Sequence, residues 1–360
     1  MSKKIIFSGG GTGGHIFPAI NLMKHFFDKS YQVLLVTDAR GNNFIKGHSE
    51  FKSYVLNAST PTNKSLLKKI FSYFLILYSI IKSIIILKNE KPDIILGFGG
   101  YVSFPISFAS RFFKLPLIIY ENNMVLGRTN KYLASFSKKI LLAKEIKKNF
   151  PEEYKNKTYT VGSILNKNII NCSSFNDKKD SEDKFSILVL GGSQGAEVFG
   201  SIIPKVIKMI KDGGHNVEIN QQCVINQKKY LTNFYEKNNI KNYVFEFDKN
   251  ILKLVLSSNL AITRCGASTT AELTHTLTPF IAVPLPNSID NHQYLNAKYY
   301  ENKGCCWLLE QENFSTENLF NLIIKNIKNK NNLENIRKNM KKSYNKNVYS
   351  NIENKIREFI

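Results

Sequence analysis

Residues suited to chemistry are concentrated in a glycine-rich run near the N-terminus of this 360-residue chain. Residues 9–15 read GGGTGGH and follow an apolar run of strand length. Glycines let backbone N–H groups approach an anion closely, and the N-terminus of a helix that we expect to begin near Pro18 adds partial positive charge. The run therefore predicts a loop that binds phosphate or stabilises a developing negative charge. Glycines needed only for tight packing of strand and helix are the alternative.

His15 ends this glycine run. Histidine exchanges a proton near neutral pH, so His15 could act as a general base toward a ligand hydroxyl. A histidine that only makes a structural hydrogen bond is the alternative. The run also fits the pattern GxGxxG at Gly9, Gly11 and Gly14. Because Asp38 ends the next apolar run, the pattern is also typical of a dinucleotide site, and a nicotinamide-dependent oxidoreductase is a second class to consider.

Two more glycine turns follow apolar runs, at residues 97–101 (GFGGY) and 191–196 (GGSQGA). In a doubly wound sheet, ligands bind in the crevice at the carboxyl ends of the strands. We therefore expect all three glycine turns to contribute to binding, since packing alone explains three such loops poorly.

The second half carries two further polar motifs. Residues 264–272, RCGASTTAE, follow an apolar run, and small residues at a helix start offer N–H donors to a diphosphate. Glu272, farther along that helix, could accept both hydroxyls of a ribose. Residues 290–293, DNHQ, together with Asn296, suit sugar hydroxyls. A solvated helix carboxylate and ordinary turn polarity are the respective alternatives.

The elements that must position these loops alternate between strand and helix. Residues 3–14 and 186–196 repeat one plan of apolar strand, glycine loop and helix. Further strands are expected at 31–37, 93–96, 117–120, 243–247, 260–263 and 280–284. Strands separated by stretches long enough for crossover helices predict an α/β fold, with two Rossmann-like domains whose parallel sheets face a central cleft.

Length and local composition predict the domain boundaries. At roughly 150 residues per domain, the chain favours two domains. Residues 166–184 carry Asn, Ser, Asp and Lys with few large apolar residues and are expected to form a linker. We expect the first domain at 1–165, the second at 185–340, and a C-terminal helix at 341–360 that packs back onto the first domain.

The net charge indicates the kind of partner that the protein binds, and the cysteine content indicates its redox compartment. Fifty Lys and Arg against twenty-eight Asp and Glu leave a net charge of +22. This indicates an anionic partner such as nucleic acid, a phosphorylated ligand or acidic lipid, or else only a solvated surface. Five cysteines without a CxxC pair predict neither a disulfide framework nor a zinc site and fit a reducing cytoplasm.

Residues 66–87 are strongly apolar. Their longest uncharged run has twelve residues, 70–81, fewer than the ~18 needed to span a bilayer, so we do not expect a transmembrane helix. Lys64, Lys68 and Lys69 lie beside aromatic and aliphatic residues. The segment is therefore expected to be either a buried helix or an interfacial helix on anionic lipid.

Six motifs together, in order and spacing, resemble the MurG family of peptidoglycan glycosyltransferases, over nearly the whole chain. They are residues 9–19, 97–105, 121–123, 191–196, 264–272 and 292–297. The resemblance implies a GT-B fold and an inverting transfer of GlcNAc from UDP-GlcNAc. The implied acceptor is the MurNAc 4-hydroxyl of undecaprenyl-diphosphate-MurNAc-pentapeptide, so that lipid I becomes lipid II. It implies no metal, no cofactor and no nucleic acid partner.

The resemblance also implies roles for individual residues. The first glycine loop would meet the acceptor diphosphate and the reaction centre, with His15 as the catalytic base. The second domain would hold UDP-GlcNAc, with Glu272 on the ribose. The residues implied in substrate binding are Thr12, Gly13, Gly14, Tyr101, Glu121, Asn123, Ser193, Gln194, Phe247, Asp248, Ala267, Ser268, Thr269, Glu272, His292 and Gln293.

A lipid-tethered acceptor requires docking at the bilayer, so the resemblance favours the interfacial reading. It implies a peripheral protein on the cytoplasmic face of the bacterial inner membrane. The anionic membrane surface would meet residues 64–74. Nearby residues that could join this surface are Phe104, Phe108, Arg111, Phe112, Phe113 and Lys114.

The chain departs from the family pattern at three places. Tyr120 stands where the family has a histidine, Asn166 where it has an arginine, and residues 220–223 replace a WHQSGK-like stretch. These changes predict weaker donor binding or a compensating lysine. Another nucleotide-sugar enzyme of the same fold, the oxidoreductase and a basic RNA- or lipid-binding protein are the alternative functions.

Overall fold

The computed structural model describes residues 2–45, 50–57, 66–146, 150–172, 184–192, 196–343, 345 and 347–360, with the side chains of 66–68 outside the description. The chain divides into two units, Met1–Asn166 with Asn345–Ile360, and Lys167–Tyr344. The last helix of the chain therefore belongs to the first unit. Residues 173–183, most of the predicted linker, lie outside the described residues.

In the first unit, a parallel sheet of seven described strands has the order β3-β2-β1-β4-β5-β6-β7. Its strands are β1 Lys4–Ser8, β2 Gln32–Thr37, β3 Lys52–Val55, β4 Ile94–Gly97, β5 Leu117–Glu121, β6 Lys139–Leu142 and β7 Thr158–Thr160. Its helices are α1 Gly13–Phe27, α2 Ala39–Ile45, α3 Leu66–Glu90, α4 Ser103–Ala109, α5 Arg128–Ala134 and α14 Val348–Arg357.

The sheet of the first unit is buried on both faces. Along β1, Ile5 and Phe7 pack with α1 and α14, while Ile6 packs on the opposite face with α3, α4 and α5. A strand buried on both sides needs apolar residues at successive positions, which explains the unbroken apolar runs in the sequence. On α14, Val348, Ile352 and Ile356 join the same core as Phe7.

In the second unit, a parallel sheet of six described strands has the order β10-β9-β8-β11-β12-β13. Its strands are β8 Phe185–Leu190, β9 Val217–Gln222, β10 Lys241–Phe245, β11 Leu260–Thr263, β12 Phe280–Ala282 and β13 Cys306–Leu308. Its helices are α6 Lys167–Ile170, α7 Glu197–Asp212, α8 Ile225–Lys237, α9 Ile251–Ser257, α10 Ala267–His275, α11 His292–Asn302, α12 Thr316–Lys328 and α13 Lys330–Ser343.

Element bounds differ from the sequence predictions at several ends. Helix α1 begins at Gly13 rather than near Pro18, so this proline lies inside the helix. Strand β10 ends at Phe245, which leaves residues 246–247 in the following loop. Helix α6 occupies part of the segment predicted to be a linker.

Helix α3 is largely exposed, so it is not the buried helix that the sequence left open. Lys69–Glu90 is long and apolar enough to cross a membrane by length and composition, although its longest uncharged run is short. Only 28% of its apolar window is buried. The buried side includes Ser72, Ser79 and Ser83, and the helix packs on α4. Its exposed apolar side chains are Ile70, Phe71, Tyr73, Phe74, Leu77, Tyr78, Ile81 and Ile85.

Candidate functional site

The first glycine loop presents the N-terminus of α1. Thr12 precedes this fifteen-residue helix and makes no side-chain capping bond. Within the described residues, the N–H groups of Gly13 and Gly14 have no acceptor, as expected for the first turn of a helix. Two backbone donors at a positive helix end suit an anion such as a diphosphate. The predicted anion loop therefore has the required local geometry.

His15 is half-buried in this loop and is held by the second glycine turn. Its Nδ1 lies 2.9 Å from the carbonyl oxygen of Phe98. Because a carbonyl only accepts, Nδ1 carries the proton, and the acceptor lone pair of the neutral ring is on Nε2. A Cβ added to Gly99, which has a φ of +82°, would lie 3.2 Å from the imidazole ring. Glycine at this position therefore allows the turn to pack directly against His15.

Asp38, the acidic residue of the dinucleotide pattern, is used by the protein itself. The carboxylate accepts hydrogen bonds from the N–H of Gly11 (3.0 Å), the N–H of Gly41 (2.8 Å) and the hydroxyl of Tyr101 (2.9 Å). A dinucleotide site requires this side chain to bind ribose hydroxyls. Its three protein donors count against the nicotinamide alternative.

The hydroxyl of Tyr101 donates its hydrogen bond to the carboxylate of Asp38. Burial and the hydrogen bond to Asp38 raise the pKa of Tyr101 to about 12, so the hydroxyl keeps its proton at neutral pH. A direct contact between Tyr101 and substrate stays a prediction.

Glu121 organises the loop that follows β5. The side chain is 1% exposed. Its Oε1 accepts from the backbone and side-chain nitrogens of Asn123, both at 3.0 Å. Its Oε2 accepts from the N–H of Gly127 and the amide of Asn130, both at 2.9 Å. Four donors on one buried carboxylate indicate a structural role, and contacts of Glu121 and Asn123 with substrate stay predictions.

Sequence reasoning missed the support that Asn122 gives to the first loop. Pro18 has no N–H, so the carbonyl of Gly14, four residues earlier, lacks its usual helical donor. The side-chain amide of Asn122 lies 3.3 Å from that carbonyl oxygen and donates to it. The signal was a proline four residues after a glycine in the loop, but the identity of the donor requires the fold.

Two of the departures from the family pattern have internal partners. Tyr120 is 3% exposed, and its hydroxyl accepts from the N–H of Ile164 at 3.2 Å. Gln221 is fully buried and accepts from the hydroxyl of Tyr235 at 2.5 Å. Both residues contribute to the packing of their own units.

In the second unit, α10 offers a second helix N-terminus. Gly266 precedes it without a side-chain cap; Ala267 is buried, and Ser268 and Thr269 are half-buried. The preceding Arg264 is buried and donates to the carbonyl oxygens of Val283 and Pro284, at 3.2 and 3.0 Å. Arg264 thus joins the loops after β11 and β12. The predicted residues Ser193 and Gln194 lie outside the described residues.

Glu272 is the least satisfied of the predicted site carboxylates. It is half-buried on α10, and its carboxylate makes no hydrogen bond or ion pair with any residue that the structure describes. Burial raises the pKa of Glu272 to about 7. A desolvated carboxylate without donors is destabilising, and ligand hydroxyls would relieve that cost. This is the environment expected for a residue that binds a ribose.

Gln293 connects the same loops from α11. Its Oε1 accepts from the N–H groups of Cys265 (3.1 Å) and Leu285 (3.0 Å). The side-chain NH₂ group makes no hydrogen bond to the described residues and so remains a donor for a ligand. The adjacent His292 has Nδ1 at 2.8 Å from the carbonyl oxygen of Ile289. The acceptor lone pair of neutral His292 is therefore on Nε2.

The predicted motif at 264–272 contacts the predicted residue Gln293 through Cys265. In the loop after β10, by contrast, the predicted residue Asp248 bonds to protein groups close to it in the sequence. Asp248 accepts from the N–H of Asn250 (2.6 Å) and the hydroxyl of Tyr243 (3.1 Å). Phe247 is 70% exposed. Their contacts with uridine stay predictions.

Among the described residues, no group of three or more His, Cys, Asp or Glu side chains could hold a metal ion. Transfer without a metal stays a prediction.

The chain joins two Rossmann-like units. One carries a glycine anion loop, and the other carries a carboxylate without a described partner, behind a helix N-terminus. These features are typical of a nucleotide-sugar glycosyltransferase of GT-B fold. Family models agree with this class. Residues 5–142 match the glycosyltransferase family 28 N-terminal domain, and residues 186–353 match the glycosyltransferase family 28 C-terminal domain.

Relatives define the particular family. A protein of Rickettsia bellii is 37% identical over 94% of this chain and 95% of its own length. A protein of Pelagibacter ubique is 36% identical over 99% and 98%. Both are named UDP-N-acetylglucosamine--N-acetylmuramyl-(pentapeptide) pyrophosphoryl-undecaprenol N-acetylglucosamine transferase. The chain belongs to this family, the MurG family, as its motifs predicted.

Solved structures confirm the fold. Acinetobacter baumannii MurG matches with a TM-score of 0.78 and 24% identity, covering 99% of this chain and all of that one. A UDP co-structure of S. aureus MnaA matches with a TM-score of 0.71 and 13% identity, covering 98% and 96%. The prediction of two Rossmann-like domains in a GT-B protein is confirmed.

Proposed function

We propose that this chain transfers GlcNAc from UDP-GlcNAc to the MurNAc 4-hydroxyl of undecaprenyl-diphosphate-MurNAc-pentapeptide, with inversion at the anomeric carbon. The observation that carries this proposal is the near full-length identity of 36–39% to relatives that are named for this reaction. Local geometry supports it in each unit, since one offers an anion loop with a histidine and the other an unpartnered carboxylate.

The first unit would hold the acceptor. The N–H groups of Gly13 and Gly14 would bind its diphosphate at the N-terminus of α1. His15 would take the proton of the MurNAc 4-hydroxyl on Nε2, because Nδ1 is the protonated nitrogen opposite the Phe98 carbonyl. The hydrogen bond to Phe98 also fixes the ring orientation that this proton transfer needs.

The second unit would hold the donor. Glu272 would accept the ribose hydroxyls, and the first turn of α10 would bind the diphosphate. As the deprotonated acceptor oxygen bonds to C1 of GlcNAc, the bond from C1 to the UDP oxygen breaks, and UDP leaves with the electron pair. The negative charge that develops on UDP would be stabilised by the N–H groups of Ala267, Ser268 and Thr269. These donors supply charge stabilisation without requiring a metal.

A membrane surface on α3 would bring the protein to its lipid-linked acceptor. The exposed stripe of α3 lies opposite buried serines, so the helix fits an orientation in the plane of the interface, with one side on the protein and the other in lipid. Tyr73 and Tyr78 are amphipathic residues typical of interfaces. Phe112 is 63% exposed on the turn that follows α4, and Arg111 contacts the ring of Phe136 at 5.0 Å from its centroid.

Of the predicted basic residues, Lys69 is exposed, Lys64 lies outside the described residues, and so does the side chain of Lys68. We place this surface on the cytoplasmic face of the bacterial inner membrane. The five cysteines, all within the described residues, form no disulfide bond, which is typical of a reducing compartment. The expectation of no nucleic acid partner stays a prediction.

The transfer assay is direct. Purified protein is incubated with UDP-GlcNAc labelled in the sugar and a lipid I analogue, and the lipid product is separated and counted. We expect labelled disaccharide-linked lipid and released UDP. A chain that binds UDP-GlcNAc but transfers nothing to this acceptor, under conditions where a relative does, would contradict the proposal.

A further inference from the structure

We propose that Asp38 and Tyr101 form a bridge between the two glycine loops of the first unit and thereby position His15. The sequence singled out Asp38 only as part of a dinucleotide pattern, and the function proposed above gives it no task. This inference rests on the proposed role of His15 as the base. Asp38 and Tyr101 are positioning residues, since they act through His15.

One oxygen of Asp38 joins the two loops. Oδ2 accepts from the N–H of Gly11 at 3.0 Å and from the hydroxyl of Tyr101 at 2.9 Å. Gly11 belongs to the first loop and Tyr101 to the second. The side chain of Asp38 is 7% exposed, so these bonds are shielded from water.

The ring of Tyr101 also fits the shape of the first loop. Gly11 has a φ of +81°, and a Cβ added there would lie 3.1 Å from Cε1 of Tyr101. A side chain at position 11 would therefore be strained and would also crowd the tyrosine ring. The contact shows that the two loops are packed together as well as hydrogen-bonded.

The bridge reaches His15 through a short piece of backbone. The carbonyl of Phe98, three residues before Tyr101, accepts from Nδ1 of His15. Between them, Gly99 and Gly100 have φ values of +82° and +75°, and a Cβ on Gly100 would lie 2.5 Å from the carbonyl oxygen of Gly10. Phe98 is also held by its N–H bond to Ser8, and Gly100 by bonds from Ser103. Glycines permit many backbone conformations, so the anchored Tyr101 adds a further restraint on this turn. Releasing Tyr101 would loosen the carbonyl that fixes the tautomer and orientation of His15.

Asp38 also has an ordinary structural role, which a test must separate from the bridge. Its Oδ1 accepts from the N–H of Gly41 at 2.8 Å, as an N-terminal cap does for α2. Because the cap uses Oδ1 and the bridge uses Oδ2, Tyr101→Phe breaks the connection between the loops and leaves the cap intact. Burial and the bond to Asp38 raise the pKa of Tyr101 to about 12, so the native donor is protonated under assay conditions.

Tyr54→Phe is the matched control. The hydroxyl of Tyr54 donates to Oε1 of Glu90 at 2.5 Å, so this variant also removes a tyrosine-to-carboxylate bond from the first unit, but not at the glycine loops. We expect Tyr101→Phe to lower kcat about 10-fold with an unchanged KM for UDP-GlcNAc, the size expected for one hydrogen bond to a charged group. Both variants are expected to lower the melting temperature by a similar amount, because each loses one hydrogen bond. Tyr54→Phe, however, is expected to keep kcat within about two-fold of the native value. Equal kcat values for the two variants would overturn the bridge.

A double-mutant cycle with His15→Ala completes the test. If Tyr101 acts through His15, adding Tyr101→Phe to His15→Ala causes no further loss of kcat. The same 10-fold loss in both backgrounds would overturn the bridge and leave the proposed base in place. A His15→Ala variant with nearly normal kcat would instead refute the proposed base. Recovery of the labelled transfer product in all four proteins provides the readout.

Discussion

In the first unit, the polar side chains around the glycine loops bond mainly to groups of the same unit. In the second unit, by contrast, the carboxylate of Glu272 and the side-chain nitrogen of Gln293 have no partner among the described residues. Asp38 and Glu121 together accept seven hydrogen bonds from their own unit. Among the described residues of the first unit, the backbone N–H groups of Gly13 and Gly14 have no acceptor.

This difference indicates two ways to prepare a site. The first unit is pre-organised, because Asp38 bonds to both glycine loops and Glu121 bonds within the loop after β5. The second unit holds its loops with Arg264 and Gln293, but it keeps the carboxylate of Glu272 desolvated and without a partner among the described residues. Substitutions in the first unit should therefore act on kcat, and substitutions in the second on nucleotide affinity.

The largest expected effect comes from His15→Ala. Loss of a general base typically lowers rate by about 10²–10⁴-fold, so we expect kcat to fall by that range. The KM for UDP-GlcNAc should stay within about two-fold, since His15 belongs to the acceptor side. Initial-rate kinetics with the lipid I analogue measure both. A rate within a few-fold of the native chain would remove His15 as the base.

Glu272→Gln should weaken nucleotide binding, whereas His15→Ala should lower kcat. Losing hydrogen bonds from ribose hydroxyls to a carboxylate should weaken UDP binding by about 10- to 100-fold. Calorimetric titration with UDP gives the dissociation constant. The exposed Glu236 of α8 offers a control, because Glu236→Gln removes the same charge elsewhere in the unit. Unchanged UDP affinity in the Glu272 variant would contradict the difference between the two units.

The pH dependence of stability sharpens the contrast further. Burial raises the pKa of Glu272 to about 7, above its ordinary value in the unfolded chain. Its contribution to stability is fully present below the unfolded pKa and is lost as pH rises through about 7, up to about 1–3 kcal/mol. Urea unfolding of the native chain and Glu272→Gln at pH 5 and pH 8 measures it. The native chain should lose more stability than the variant; identical losses would refute an unpartnered carboxylate.

UDP binding should depend on pH in the opposite direction to the stability of the free chain. Ribose hydroxyls bond better to the ionised carboxylate, so UDP affinity should rise between pH 6 and pH 8 and binding should release a proton. Titrations in buffers of different ionisation enthalpy detect the proton. Glu272→Gln should lack the release, and equal release from both proteins would place the titrating group elsewhere.

The proposed membrane surface lies on α3 of the first unit. Replacing Phe71 and Phe74 by Ser should lower binding to anionic vesicles by about 10-fold, because both exposed rings would leave the interface. Tyr230→Ser, on an exposed aromatic of the second unit, should leave it unchanged. Cosedimentation measures both. Equal binding by all these proteins would remove α3 as the membrane surface.

The charge reversals should have the smallest effect. Changing Lys64, Lys68 and Lys69 to Glu is expected to weaken vesicle binding several-fold at low salt, with little difference at high salt, where surface charges are screened. A loss that persists unchanged at high salt would contradict an electrostatic contribution.

The sequence predicted the glycine turns and the strands β1, β4 and β8 that precede them, because apolar runs ended in glycines at the same point of each repeat. It also predicted β2, β5, β10, β11 and β12, but it missed β3, β6, β7, β9 and β13. It also singled out Glu272, since a carboxylate behind a small-residue helix start is a local pattern, and the contact of Glu272 with a ribose stays a prediction. The partners of Asp38 could not be predicted, because Tyr101 and Gly11 come from distant parts of the chain. Neither could the start of α1, since Asn122 supplies the donor that lets Pro18 lie inside the helix.

Exposure was equally hard to predict. An apolar helix such as α3 has the same composition whether it packs in a core or faces lipid, and only the fold shows that Phe71 and Phe74 are 64% and 66% exposed. Local patterns thus predicted the glycine loops, while contacts between distant residues determine how those loops are held.

The central claim is that the second unit binds the donor nucleotide and the first unit binds the acceptor. Hydrogen exchange of the whole chain with and without UDP tests it most directly. We predict slower exchange for the amides at residues 266–272 and 292–296 and unchanged exchange at residues 9–15. Slower exchange at residues 9–15, with no change around Glu272, would contradict it.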